Sequence, residues 1–298
     1  MNGILVMNKP PGFTSFDVIG KLRGILKMKK LGHTGTLDPM ASGVLPVLVG
    51  TAARACDLLP DETKTYRAGF QLGTVTDTQD STGTVLQTLP VTADAAQITA
   101  LLPAFTGDIM QVPPMYSAVQ INGKRLYELA RAGKEIERPA RQVTVSSLTL
   151  LQYDPEKGAG EMEIVCGKGT YVRTLLHDLG QMLGCGCCMT ALTRTAACGF
   201  TLAEAHSFEE VQAAANAGEA DKLLILTDTL FSAHPALRLS EAQTALYRNG
   251  VRLSFSRLSG ITEPDSRTVY RVYAANGTFL GLANNDPAEK CLRVLKNM

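Results

Sequence analysis

Residues 32–43 read Gly32-His33-Thr34-Gly35-Thr36-Leu37-Asp38-Pro39-Met40-Ala41-Ser42-Gly43 and run directly into the apolar stretch Val44 to Val49. Between Gly32 and Gly50 lie four glycines and two prolines around His33, Asp38 and Ser42, while Val44 to Val49 suits a buried strand. A polar cluster thus precedes a core strand, and its glycines permit unusual backbone angles and close approach of a ligand. Asp before Pro is commonly only a turn residue, and a histidine such as His33 is more often a satisfied surface side chain than a functional one. By residue type alone the turn reading stands first.

Upstream, Ile4 to Lys9 reads as a short strand. Ser15 can cap a helix to about Leu26, its hydroxyl accepting an orphan N–H while Val18, Leu22, Ile25 and Leu26 form an apolar face. Downstream, Thr65 to Gly73 alternates as a strand, and Thr74 to Gly83, rich in Thr, Asp and Gly, reads as a loop. Thr92 to Leu102 has helical spacing and a stop at Pro103. From Gln111 to Arg141 the chain changes character: Pro113-Pro114 leads to a short basic helix, Lys124 to Ala132, ended by Gly133, and the segment reads as an inserted arm. Val143 to Gln152 and Glu161 to Cys166 predict strands, and Thr170 to Leu183 an amphipathic helix with Val172, Leu175, Leu176 and Leu179 inward. Ser207 with Glu210 makes a capping box for a helix to about Ala217. After Pro235 a compact helix-plus-barrel pattern begins. Ser240 caps a helix ending at Gly250, and short strands follow around Val251 to Phe255, Thr268 to Ala274, Phe279 to Ala283 and Cys291 to Leu295.

A chain of 298 residues has room for roughly two domains, and 45% hydrophobic against 19% charged residues supplies a sizeable core with no sign of disorder. The apolar run Ile4 to Met7 is broken by Asn8, Lys9 and two prolines, too short for a membrane span or signal-peptide core, so a soluble cytoplasmic protein is expected. Three of seven cysteines crowd into Cys185-Gly186-Cys187-Cys188, which matches neither paired zinc ligation nor a secreted disulfide framework. They read as small buried residues in a reducing compartment, and no metal is implied. A net charge of +1 does not announce a nucleic-acid binder. Basic residues do cluster locally, at Lys21, Arg23, Lys27, Lys29 and Lys30 and at Lys124, Arg125, Arg131, Lys134, Arg138 and Arg141, but such runs are usually solvated helix faces.

Gly32 to Gly43 nevertheless resembles the catalytic motif of the tRNA pseudouridine synthase B family. Further blocks resemble that family's in order along nearly the whole chain: Lys9-Pro10, Lys64-Thr65-Tyr66, Gly73 with Thr76-Asp77-Thr78, Gln111-Val112-Pro113-Pro114, Tyr116-Ser117-Ala118, and Lys168-Gly169-Thr170-Tyr171-Val172-Arg173-Thr174. The resemblance implies an α+β protein. Residues 1–234 would form a pseudouridine synthase catalytic domain, a bent mixed sheet with flanking helices and loops and an RNA-gripping thumb insertion at about 116–141; residues 235–298 would form a PUA RNA-binding pseudobarrel. Both breaks coincide with the changes in residue pattern. The implied activity is isomerisation of uridine 55 in the T-loop of elongator tRNAs to pseudouridine, with no cofactor and no metal. Its partner would be the tRNA T-arm stem-loop, with no membrane, no obligate protein partner and a monomeric state.

The same resemblance assigns roles to residues. Asp38 is the essential carboxylate in breaking the glycosidic bond, and Arg173 pairs with it, a guanidinium fork favouring the ionised form by charge and bidentate hydrogen bonding. On helical spacing alone Arg173 fits an exposed arginine equally. Tyr66 corresponds to the tyrosine that stacks on the target base, though strand position alone would make it a half-buried residue. The target nucleotide must be turned out of the T-loop, at a cost of a few kcal/mol of unstacking, and His33 resembles the residue that fills the gap. Lys9 and Lys64 match basic positions near the pocket, Leu192 an apolar residue packed in it, and Gly32 and Thr34 flank His33 as RNA contacts. Thr193 departs from the pattern where many relatives carry a second arginine, which implies a modest loss of phosphate contact. Two other readings use the same residues, a tRNA-binding or folding protein without chemistry and a guide-RNA-dependent synthase. Intact Asp38, Tyr66 and Arg173 argue against the first; the thumb and the lack of long basic tails argue against the second.

Overall fold

The computed structural model describes residues 1–121, 123–259, 261 and 268–298; position 122 of the expected arm and positions 260 and 262–267 of the expected C-terminal module lie outside it. The chain opens with β1 (Gly3–Lys9), α1 (Ser15–Leu26), β2 (Leu31–His33) and β3 (Ser42–Val49). β1 and β3 pair antiparallel from Gly3 opposite Val49 to Lys9 opposite Gly43. They read as nearly continuous apolar runs because both faces are covered. Leu5, Met7, Leu45 and Val47 pack against Val18, Ile19 and Leu22 of α1, while Ile4, Val6, Val44 and Leu48 pack on the opposite side with Ala197 and Phe200.

The chain continues through β4 (Lys64–Leu72), β5 (Thr74–Thr76), β6 (Val85–Thr88), α2 (Ala95–Leu101), β7 (Gly107–Gln111), β8 (Gln120–Ile121), β9 (Lys124–Arg125), α3 (Leu126–Arg131), β10 (Arg141–Asp154), β11 (Ala159–Cys166), α4 (Val172–Met182), β12 (Cys187–Ala197), β13 (Phe200–Thr201) and α5 (Phe208–Asn216). One nine-stranded sheet runs β1-β3-β12-β4-β11-β10-β7, with β2 against β3 and β13 against β12. It is mixed because β12 meets β3 in parallel, Thr193 opposite Ser42 and Arg194 opposite Gly43. Gly43 permits that junction. Its φ is +105°, and a Cβ would overlap the Arg194 carbonyl. α4 lies on the sheet with Val172, Leu175, Leu176 and Leu179 in a core shared with Tyr66, Ala68, Phe70, Met162, Ile164 and Leu192.

The remaining elements, β14 (Ala236–Arg238), α6 (Glu241–Arg248), β15 (Leu253–Ser254), β16 (Val269–Tyr273), β17 (Phe279–Asp286) and β18 (Cys291–Asn297), build a separate five-stranded sheet, β14-β16-β17-β18-β15, around Leu237, Tyr247, Val272 and Leu292. It adjoins the larger unit through Ala55, Phe231 and Leu282, and Tyr273 Oη donates to Asp228 Oδ2 at 2.7 Å. Among the described residues no helix is long and apolar enough to cross a membrane.

Several local expectations need correction. Thr14, not Ser15, is the N-cap of α1: Thr14 is extended and its Oγ1 accepts from Asp17 N, while Asp17 Oδ2 accepts from Thr14 N. The carboxylate three residues after Thr14 closes a capping box that Ser15 cannot form. Thr74 to Gly83 is not all loop, since β5 pairs with β6. α2 begins after an Asp94 cap rather than at Thr92. β7 and the long β12 were not anticipated, and Cys187 and Cys188 are buried residues at the start of β12.

Candidate active site

The loop between β2 and β3 carries Asp38, and nearly every segment around it holds it in place. Leu37 N donates to Ser15 Oγ at 2.8 Å. Pro39 O accepts from Gly12 N at 2.8 Å and from Lys9 Nζ at 3.3 Å, and Ala41 N turns back onto Asp38 O at 3.0 Å. Arg194 on β12 donates through Nε to Val44 O at 2.7 Å and through Nη2 to Gly35 O at 3.2 Å. A glycine-rich loop so restrained presents its carboxylate from a rigid support.

Arg173, in the first turn of α4, reaches that carboxylate with Nε 2.8 Å from Oδ2 and Nη2 3.2 Å from Oδ1. The arginine side chain is 4% exposed and that of Asp38 34%, so the cation lies behind a carboxylate that opens outward. The surface-arginine alternative is excluded. A two-point guanidinium contact fixes the plane of the carboxylate. Arg173 also donates to Thr78 O and Tyr116 O, both at 3.0 Å. Its Nε further lies 3.8 Å from Asp80 Oδ2.

Asp80 is a buried residue that sequence reasoning passed over inside an apparent loop. Its Oδ1 accepts from Thr78 Oγ1 at 2.8 Å, Thr82 Oγ1 at 2.6 Å and Thr82 N at 3.0 Å. The visible signal was Thr78-x-Asp80-x-Thr82, a carboxylate with hydroxyls two residues to either side. Arg194 was also passed over. It is fully buried, and its Nη1 has no partner.

The other expected site residues surround the same loop. Tyr66 projects from β4 into the core beside Leu192 and Leu37, and burial pushes its phenol up to about 12, with Arg194 pulling the other way. His33 ends β2, half-buried, with Nδ1 unpartnered, and burial followed by the nearby Arg194 charge holds its imidazole below the usual range, so the ring is neutral at pH 7. Thr34 N donates to Pro46 O at 3.2 Å, and Gly32 lies within β2. Lys64 donates to Glu62 O at 2.7 Å and its Cε approaches Gly35. Lys9 is wholly buried, and its Nζ spends itself on Pro10 O, Phe13 O and Pro39 O, so it supports the loop from beneath rather than reaching outward. Burial, opposed by Asp38, brings its ammonium down to about 8. Thr193, where a second arginine was absent, has Oγ1 3.0 Å from Ser42 Oγ and ties β12 to β3.

The arm springs from beside the site. Gln111 exchanges two hydrogen bonds with the Tyr171 backbone, at 2.8 and 3.0 Å, joining the end of β7 to the start of α4. A groove lined by Gln111, Pro113, Arg141, Lys168 and Tyr171 runs along this join, and Lys124, Arg125, Arg131 and Lys134 on the arm are exposed. Among the described residues no His, Cys, Asp and Glu group has a metal-holding arrangement.

Known proteins match this chain from end to end. The profile described as TruB family pseudouridylate synthase (N terminal domain) matches residues 23–172, and that of the tRNA pseudouridylate synthase B C-terminal domain matches residues 173–233. The chain belongs to the TruB family. Among its TruB relatives, the tRNA pseudouridine synthase B of Thiobacillus denitrificans is 45% identical over 283 residues, 95% of this chain and 92% of the relative. That of Bacillus subtilis (strain 168) is 39% identical over 298 residues, 98% of this chain and 96% of the relative. A Cbf5-Nop10-Gar1 complex contains a chain that superposes with a TM-score of 0.72 at 23% identity, covering 99% of this chain and 84% of that one. An H/ACA RNP bound to a substrate RNA containing 2'-deoxyuridine gives 0.70 at 21%, covering 99% and 84%. This TruB chain therefore has the pseudouridine synthase fold and is a pseudouridine synthase, an isomerase.

Proposed function

We propose that the protein isomerises uridine 55 in the T-loop of elongator tRNAs to pseudouridine, acting alone as a cytoplasmic monomer with Asp38 as the catalytic carboxylate. The observation that carries this reading is the ion pair of Asp38 with Arg173: a carboxylate held in a fixed plane by a buried guanidinium and open on its other side. In the reaction the bond between ribose C1′ and uracil N1 breaks and a bond between C1′ and C5 forms. The C5 hydrogen leaves as a proton and N1 gains one, so no oxidant, metal or cofactor enters the balance. Tyr66 faces the uracil ring, Leu192 packs beside it, and a neutral His33 takes the place of the extruded base in the loop. Lys64, Gly32 and Thr34 border the nucleotide, and Lys9 sets the loop.

On this reading residues 1–234 are the catalytic domain, the arm at about 116–141 is a thumb laid on the T-arm, and residues 235–298 are a PUA-type RNA-binding module. Exposed lysines and arginines on the arm supply the electrostatics that a net charge of +1 does not. The test is an unmodified T-arm stem-loop with tritium at uridine C5, mixed with the purified protein alone. Tritium release mapped to the T-loop uridine and lost in Asp38→Asn is the expected result. Tight binding without release would replace the proposal with a folding role, and release only with an added guide RNA and protein partners would replace stand-alone action.

A further inference from the structure

Arg194 has no exposed surface and stands opposite Tyr66 in the ladder between β12 and β4. Its Nε and Nη2 bind Val44 O and Gly35 O, one on each side of Asp38 in the chain, so a single guanidinium closes the base of the loop. The close approach this requires is built into Gly43, where any side chain would strike the Arg194 backbone. Nη1 remains buried and unpartnered. Among the described residues no carboxylate lies within 4.0 Å of the group, since Asp38 and Asp80 both face Arg173.

An interior cation without a counter-ion is costly. Desolvating a guanidinium costs several kcal/mol, and an apolar side chain of similar volume would fill the space without that cost. A purely structural role would not require the charge. Across the ladder its partner is Tyr66, whose phenol feels the Arg194 charge.

We propose that Arg194 is a positioning residue of the isomerisation: its fork fixes the loop on both sides of Asp38 and so sets where that carboxylate stands. The inference rests on the Asp38-dependent reaction proposed above, so wild type and Asp38→Asn accompany every assay. Arg194→Met preserves volume and removes fork and charge; Arg194→Lys preserves the charge alone. Single-turnover tritium release, T-arm affinity by filter binding and thermal unfolding are measured together.

Arg194→Met is expected to slow release about a hundredfold, the scale of a 1 Å misplacement of reacting groups, with T-arm affinity within about threefold and an unfolding midpoint shifted only modestly, because relief of the buried charge offsets the loss of a donor at Val44 O and Gly35 O. Arg194→Lys should fall between it and wild type. Wild-type release in Arg194→Met, an affinity loss as large as the rate loss, or failure of both Arg194 variants to fold would each overturn the proposal. Silence of wild type would overturn the function beneath it, and the inference with it.

Discussion

Ser15 Oγ and the backbone of Leu37 bind each other reciprocally: Leu37 N donates to the hydroxyl at 2.8 Å, and the hydroxyl donates back to Leu37 O at 3.3 Å. The first turn of α1 thereby holds the residue that precedes Asp38. Ser15 is 1% exposed, so Ser15→Ala strands a buried N–H at a cost of about 1–3 kcal/mol. We expect a lower urea midpoint together with about tenfold slower turnover, through a displaced Asp38 rather than weaker RNA binding. Unchanged stability and turnover would show that the α1 contact does not position the loop.

Gly43→Ala forces a left-handed φ of +105° on a residue with a Cβ and drives that Cβ into the Arg194 carbonyl. The only relief is separation of β3 from β12 at their two parallel pairs. A loss of roughly 3 kcal/mol or more is expected, read as a fall in the denaturation midpoint at unchanged slope. Gly12→Ala, also at positive φ but with open space around it, should cost less; equal costs would remove the steric argument.

Lys9 makes stability depend on pH in a defined direction. Its ammonium titrates at about 8 in the folded protein against 10.5 for the free side chain, so between those values the unfolded chain binds more protons than the native one. Stability from this group therefore rises as pH climbs from 8 to 10.5 and is flat below. The stability difference between wild type and Lys9→Met, measured by urea titration at pH 7, 8, 9 and 10, should move in favour of wild type at the higher values. A difference independent of pH would mean that Lys9 titrates as a free lysine.

Asp80→Asn keeps the shape of the residue held by Thr78 and Thr82 but turns a neutral amide toward Arg173. Arg173 then answers to Asp38 alone, and its angle to that carboxylate is less constrained. Turnover should drop about ten- to a hundredfold with T-arm affinity held within about threefold. Equal losses in affinity and turnover would instead place Asp80 in RNA binding.

Much of this was legible in the chain, for identifiable reasons. β3 is covered on both faces, so its apolar run announces it; α4 has one apolar stripe with Arg173 beside it; Ser207 and Glu210 close a capping box at the expected spacing. β12 was illegible because its residues, Cys187-Cys188-Met189-Thr190-Ala191-Leu192-Thr193-Arg194-Thr195-Ala196-Ala197, carry few strand-forming side chains, and its place in the sheet depends on partners from distant parts of the chain. Arg194 was lost with it. Thr14 and Ser15 are adjacent hydroxyls, and only the position of Asp17 tells which one caps. Freed from capping, Ser15 turns inward to Leu37, a contact that no local pattern encodes.

Four contacts of the Arg173 guanidinium are divided among Asp38, the Thr78 carbonyl and the Tyr116 carbonyl, the last at the root of the arm. Under the function proposed above, a stem held by the arm would pull on the carboxylate through one side chain, so that grasp and aim would be a single mechanical event. A poorly fitting stem would then be refused by misalignment rather than by exclusion.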